Sequence, residues 1–175
     1  MLGTRLRALY ESGKVVRMHA VPTIFKHTVA EHVYGMLCIA QYLSELNGLD
    51  NVARCRVYEA VLIHDAPEVW TGDIPAHMKK KHPDIERALA PEEVGWLDSN
   101  DIDSEPLQSV TEVKILRASD RLDLAMLCVH ERSMGNTTHR IMEVFQRAIS
   151  CAKEEGAGLE GLATVISFIE KEWLQ

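Results

Sequence analysis

Apolar positions recur at helical spacing along nearly the whole chain. From Leu2 to Ser12 they predict a short amphipathic helix that stops near Gly13. Gly13 to Lys26 is irregular, with Pro22 and clustered β-branched residues. Thr28-Val-Ala-Glu31 then reads as a capping box that opens a helix to about Leu46, with Val33, Met36, Leu37, Ala40 and Leu43 on its inner side. The next helix is expected from about Val52 to Val69. Tyr58, Val61, Leu62 and Asp65 lie close to one face of it, and Thr71-Gly72-Asp73 breaks it ahead of Pro75. Asp84 to Leu97 predicts a shorter helix, interrupted or restarted at Pro91, and the acidic stretch Asp98 to Ser104 a surface loop. A long helix follows over about Pro106 to Met134. Asn136-Thr-Thr-His139 starts another, and Leu159 to Trp173 closes the chain. No stretch alternates apolar and polar residues between turn signals, so no sheet is expected. The class is all-α, with residues 1–175 forming a single domain, a bundle of six or seven helices.

Composition narrows the function. Of 175 residues, 46% are hydrophobic and 26% charged, an ordinary soluble balance. The net charge of -7, without a long basic run, makes nucleic acid a poor partner. A small anionic ligand such as a nucleotide needs only a local basic pocket. Met1 to Tyr10 leads into no apolar segment of a signal peptide, and no run approaches the ~18 apolar residues of a membrane span. Neither membrane insertion nor secretion is therefore expected. Cys38, Cys55, Cys128 and Cys151 are widely spaced in apolar, helix-like stretches. They predict buried free thiols and a reducing cytoplasm.

The chemistry concentrates around His64-Asp65, after the apolar run Val61-Leu-Ile63. A charged carboxylate there costs free energy unless something compensates it. Glu68 lies four residues after His64 and three after Asp65, so on a helix all three share one side. A divalent ion is the simplest compensation. Two more groups qualify: His32, early in a helix with an apolar inner side, and Asp120, on the stripe between Leu116 and Leu124. Each has a bland alternative. His64 reads equally as a hydrogen-bonded core histidine, His32 as a packing or capping residue, and Asp120 as the partner of Arg117 or Arg121.

The order Glu31-His32, His64-Asp65, Asp120 resembles the HD-domain phosphohydrolase superfamily. The longer text His64-Asp-Ala-Pro-Glu-Val-Trp-Thr-Gly-Asp-Ile-Pro75 looks like the small members that act on 5′-deoxynucleotides. This resemblance implies that His32, His64, Asp65 and Asp120 hold one divalent transition metal: zinc, cobalt, manganese or iron. It implies Glu68 as the catalytic glutamate, Asp73 at the sugar 3′-hydroxyl, and Arg17 and Lys79 near phosphate. Asp73 reads alternatively as an Asx-turn residue and Lys79 as part of the solvated run Lys79-Lys-Lys81, and Arg117 and Lys114 are candidates for extra anion contacts. Arg17-Met-His-Ala-Val-Pro22 departs from the bacterial 5′-deoxynucleotidases, which carry Arg-Trp followed by Pro. That segment is closer to compact phage dATP triphosphohydrolases, which deplete dATP where 2-aminoadenine replaces adenine. In that reading Met18, Pro22 and Ile24 border the base, a second divalent ion arrives with the triphosphate, and the setting is the host cytoplasm. The alternatives are a 5′-deoxynucleotidase acting on monophosphates, or an HD-like module that only binds nucleotide or a partner. The resemblance also implies a homo-oligomer, for which the segments bearing Trp96, Phe145 and Trp173 offer an apolar contact surface.

Overall fold

The computed structural model describes residues 2–103 and 105–175, so Met1 and Ser104 lie outside it. The chain runs α1 (Leu2–Ser12), β1 (Val16–Arg17), β2 (His27–Thr28), α2 (Val29–Leu46), α3 (Asn51–Ile63), α4 (Glu68–Thr71), α5 (Ala76–Lys81), α6 (Pro83–Ser99), α7 (Val110–Ser133), α8 (His139–Glu155) and α9 (Leu162–Trp173). Among the described residues seven helices have eleven residues or more, and α4 and α5 are short additions of four and six residues.

Helix α7 is the hub, packed against α2, α3, α8 and α9. Its buried stripe Ile115, Ala118, Leu122 and Ala125 follows the three-and-four spacing of one helical face. Met36, Ala40 and Leu43 of α2, Val57 and Val61 of α3, and Ile141 and Phe145 of α8 join it in one continuous core. The ends of the central helices are fixed by side chains. Thr28 and Glu31 form the predicted capping box of α2: Thr28 Oγ1 accepts from Glu31 N, and Glu31 Oε2 accepts from Thr28 N at 2.8 Å. Helix α7 starts at Val110, four residues later than expected. Ser109 caps it by accepting from Glu112 N at 3.1 Å, and the buried Glu112 accepts both the Nε and Nη2 of Arg56.

Several expectations are corrected. The helix expected over Val52 to Val69 is broken: α3 ends at Ile63, residues 64–67 form a turn, and α4 begins at Glu68. Pro67 explains the break, because it has no N–H to give the Ile63 carbonyl and its ring crowds that carbonyl. Tighter bonds take over, Ala66 N to Ile63 O at 3.0 Å and Glu68 N to Asp65 O at 3.1 Å. Pro91, by contrast, sits inside a continuous α6. That helix is exposed there, so water can serve the carbonyl left unpaired. A two-stranded antiparallel ribbon pairs Val16 with Thr28 and Arg17 with His27, too short to leave an alternating pattern. Of the four free cysteines only Cys128 is buried, while Cys38 and Cys55 are exposed because they fall on the outer faces of α2 and α3. Phe145 is not a surface residue: it is buried and stacked on Trp173, centroids 4.0 Å apart. Among the described residues no helix is long and apolar enough to cross a membrane.

Candidate metal and phosphate site

Four elements converge on one point. His32 lies in the first turn of α2 and is 1% exposed. Asp120 is mid-way along α7. His64 caps the end of α3 and Asp65 follows it in the Pro67 turn. His32 Nε2 stands 3.3 Å from His64 Nε2, 3.4 Å from Asp120 Oδ1 and 3.5 Å from Asp65 Oδ2. His64 Nε2 is 3.1 Å from the same Asp65 oxygen. The turn thus brings together all four residues singled out from the sequence, although His64 and Asp65 are not on one helical face.

Protonation decides what this cluster can hold. His64 Nδ1 is 2.7 Å from the Val61 carbonyl, which can only accept, so the ring proton sits there and Nε2 presents a lone pair. Burial pushes the His64 pKa down to about 4 and keeps the ring neutral. His32 Nδ1 is 2.6 Å from Asp123 Oδ2, so Nε2 is the ring nitrogen turned inward, toward His64, Asp65 and Asp120. Asp65 Oδ2 is buried and makes a direct ion pair with Arg17 Nη1. Burial disfavours the Asp120 charge, but His32 and Arg121 hold its pKa well below the usual carboxylate range. Burial likewise opposes charge on His32, yet Asp120 and Asp123 on either side raise its pKa. Lone pairs and carboxylate oxygens face one another around a small space that draws positive charge. Two imidazoles and two carboxylates suit a divalent transition metal.

The cluster opens into a cleft of about 1130 Å³. Glu68, at the start of α4, is 8% exposed; burial raises its pKa and Arg17 only partly offsets this. Its Oε2 has no hydrogen-bond partner and lies 3.8 Å from Arg17 Nη1, which makes a direct ion pair with Asp65. Met18, Asp73 and Lys79 line the same cleft. Asp73 Oδ2 accepts from Met18 N at 2.8 Å and so holds Met18 in the left-handed region, φ +59°. Pro22 and Ile24 are not placed among the residues lining the cleft. They are drawn toward the far end of α7, where Asn136 donates to the Pro22 carbonyl at 2.8 Å and Ile24 N donates to the buried Glu131 at 2.8 Å. Arg117 lines the cleft, whereas Lys114 donates to the Ala157 carbonyl at 2.6 Å.

Three groups near the site escaped the sequence reading: Asp123, His27 and Gly35. Asp123 had a signal, since it follows Asp120 by three residues on one helix and must share its face. The α8 arginines Arg140 and Arg147, which also line the cleft, had none.

The profile of the YfbR-like 5′-deoxynucleotidase family matches residues 7–95, a span that holds Arg17, His32, His64, Asp65, Glu68, Asp73 and Lys79. No curated protein matches the chain in sequence. Solved structures match over its whole length. An HD-domain phosphohydrolase from Listeria innocua superposes with a TM-score of 0.69 at 19% identity, covering 99% of this chain and 88% of that one. The HD phosphohydrolase DatZ of cyanophage S-2L, bound to dA and one catalytic zinc ion, gives 0.63 at 19% identity, covering 98% and 97%. The PH0347 protein of Pyrococcus horikoshii OT3 gives 0.67 at 18% identity, covering 99% of each. At these identities the likeness is one of fold. With half of the chain matched by the family profile, and with a cluster fit for a divalent ion at the centre of that fold, the chain belongs to the YfbR-like 5′-deoxynucleotidase family and is a metal-dependent phosphohydrolase.

Proposed function

We propose that the chain hydrolyses dATP to deoxyadenosine and triphosphate. The observation that carries this reading is the shape and charge of the cleft. About 1130 Å³ in volume, it is lined by Arg17, Lys79, Arg117 and Arg147, more cations than one phosphate needs, with Glu143, Glu154 and Glu155 among the other lining residues. His32, His64, Asp65 and Asp120 are the residues we assign to the metal, which when bound would polarise a phosphoryl oxygen and lower the pKa of water. Arg17 and Lys79 neutralise phosphate oxygens, and a second divalent ion enters with the triphosphate. Glu68, buried and with a raised pKa, takes a proton from the attacking water or returns one to the leaving 5′-oxygen. Asp73 spends Oδ2 on Met18, leaving Oδ1 for the sugar 3′-hydroxyl. Met18 and Val21 border the base; Pro22 and Ile24 act only through the backbone of their segment.

The restriction to dATP, and a phage setting with 2-aminoadenine, draw support from the Arg17 to Ile24 segment and from the fold shared with the cyanophage enzyme. The family match favours a second reading, hydrolysis of deoxynucleoside monophosphates through the same residues. A panel of the four dNTPs, 2-amino-dATP and dAMP, with metal-reconstituted protein, separates the two. Triphosphate released from dATP, with 2-amino-dATP spared, supports the first reading; phosphate from dAMP with intact dATP eliminates it. A module that only binds nucleotide is excluded if either is hydrolysed. We also infer a homo-oligomer, supported by exposed apolar side chains such as Tyr34, Trp70 and Phe168, and a cytoplasmic setting. Light scattering of the purified protein tests the oligomer.

A further inference from the structure

Behind His32, on the side away from the cleft, lies a second polar group of His27, His32 and Asp123, all from different elements. Asp123 is 7% exposed on α7, and its Oδ2 stands 2.6 Å from His32 Nδ1 and 3.8 Å from His27 Nε2. The buried His27 Nε2 has no hydrogen-bond partner of its own. The carboxylate reaches His32 only because residue 35, one turn further along α2, is glycine. A Cβ there would collide with Asp123 Oδ1. Removing one side chain thus opens a notch in α2, and Asp123 fills it. A separation of 2.6 Å is that of a charge-assisted hydrogen bond, too short for two ligands sharing one ion between them. The group therefore serves His32 and is not a second metal site.

We propose that Asp123, seated in the Gly35 notch and backed by His27, is a positioning residue for the metal site. It keeps the His32 ring proton on Nδ1 and fixes the ring so that Nε2 faces His64, Asp65 and Asp120. A ligating histidine whose other ring N–H is held by a carboxylate is a better oriented and more basic donor. The pair spans two core helices, and so ties the ligand to the α2–α7 packing. This inference rests on the assignment of His32 as a ligand.

The test is zinc affinity, measured by chelator competition on purified wild type, Asp123→Asn and Gly35→Ala, with thermal unfolding as a folding control. Asp123→Asn should bind zinc about 10- to 100-fold more weakly. Gly35→Ala should weaken binding in the same direction although every polar residue is intact, because it evicts the carboxylate. In metal-free wild type, where no ion fixes the tautomer, nitrogen NMR of ring-labelled histidine should find His32 protonated at Nδ1, a readout independent of whether either variant folds. Wild-type zinc affinity in both folded variants, or a metal-free His32 with Nδ1 unprotonated, overturns the inference. A wild-type chain that fails to bind zinc instead overturns the ligand assignment beneath it.

Discussion

The site has two halves built in different ways. His32 and Asp120 stand on α2 and α7, long helices locked by the core. His64, Asp65, Glu68 and Asp73 stand on the run from the end of α3 through α4 to the Gly72 turn, and Arg17 on the ribbon beside it. The helical half derives its precision from packing of apolar side chains such as Met36, Ala40, Ile115 and Leu122, all fully buried. The other half derives it from backbone devices: Pro67, which stops α3, Gly72 at φ +77°, which stops α4, and the Asp73 bond that holds Met18. Two of the four proposed ligands, His32 and Asp120, thus come from the scaffold on one side, while His64 and Asp65, with the proposed proton-transfer and phosphate groups, come from turns on the other.

Substitutions in each half should have different signatures. The largest effect is expected from Asp120→Ala in the helical half, which should abolish both zinc retention and activity, read by metal analysis and phosphate release. Glu68→Gln in the turn half should leave metal content unchanged and lower kcat by about 10²–10⁴-fold, which separates proton transfer from metal binding. Leu122→Ala should cost about 2–5 kcal/mol of stability through the cavity it leaves, measured by urea unfolding. Gly72→Ala should cost about 1–3 kcal/mol, because φ +77° with ψ 156° is a region essentially reserved for glycine. Unlike Leu122→Ala it should raise KM for the deoxynucleotide, since Asp73 is its neighbour. The smallest effect concerns pH. The Arg56 guanidinium beside Glu112 holds its carboxyl down to about 2, against an ordinary 4.5. This group binds protons more readily when unfolded. Its stabilisation is therefore complete above about pH 4.5 and lost as pH falls toward 2. Glu112→Gln should flatten the dependence of Tm on pH in that window.

The same division governs what could be read from sequence. Helical periodicity located the buried stripe of α2, and Thr28 to Glu31 marked a real cap, because these are local patterns. On α7 it pointed to Leu116 and Leu124, which are only partly buried beside the stripe of Ile115, Ala118, Leu122 and Ala125. The break at Pro67 was hidden by apolar spacing that continues across it, although the proline itself forbids the bond to Ile63. The order of His32, His64, Asp65 and Asp120 led to the cluster through a resemblance, since no spacing rule brings residues on three separate segments together. Asp123 meets His32 across 91 positions of sequence, and Gly35 matters only through that meeting. Pro22 and Ile24 were assigned to the base, but Asn136 and Glu131, more than a hundred residues on, draw their segment elsewhere.

The central claim is that His32, His64, Asp65 and Asp120 jointly hold one metal ion. Anomalous diffraction at the zinc edge, from crystals grown with one equivalent of zinc, tests it most directly. The account predicts a single peak coordinated by those four side chains. A peak on His27 and Asp123, or one that leaves any of the four uncoordinated, would contradict it.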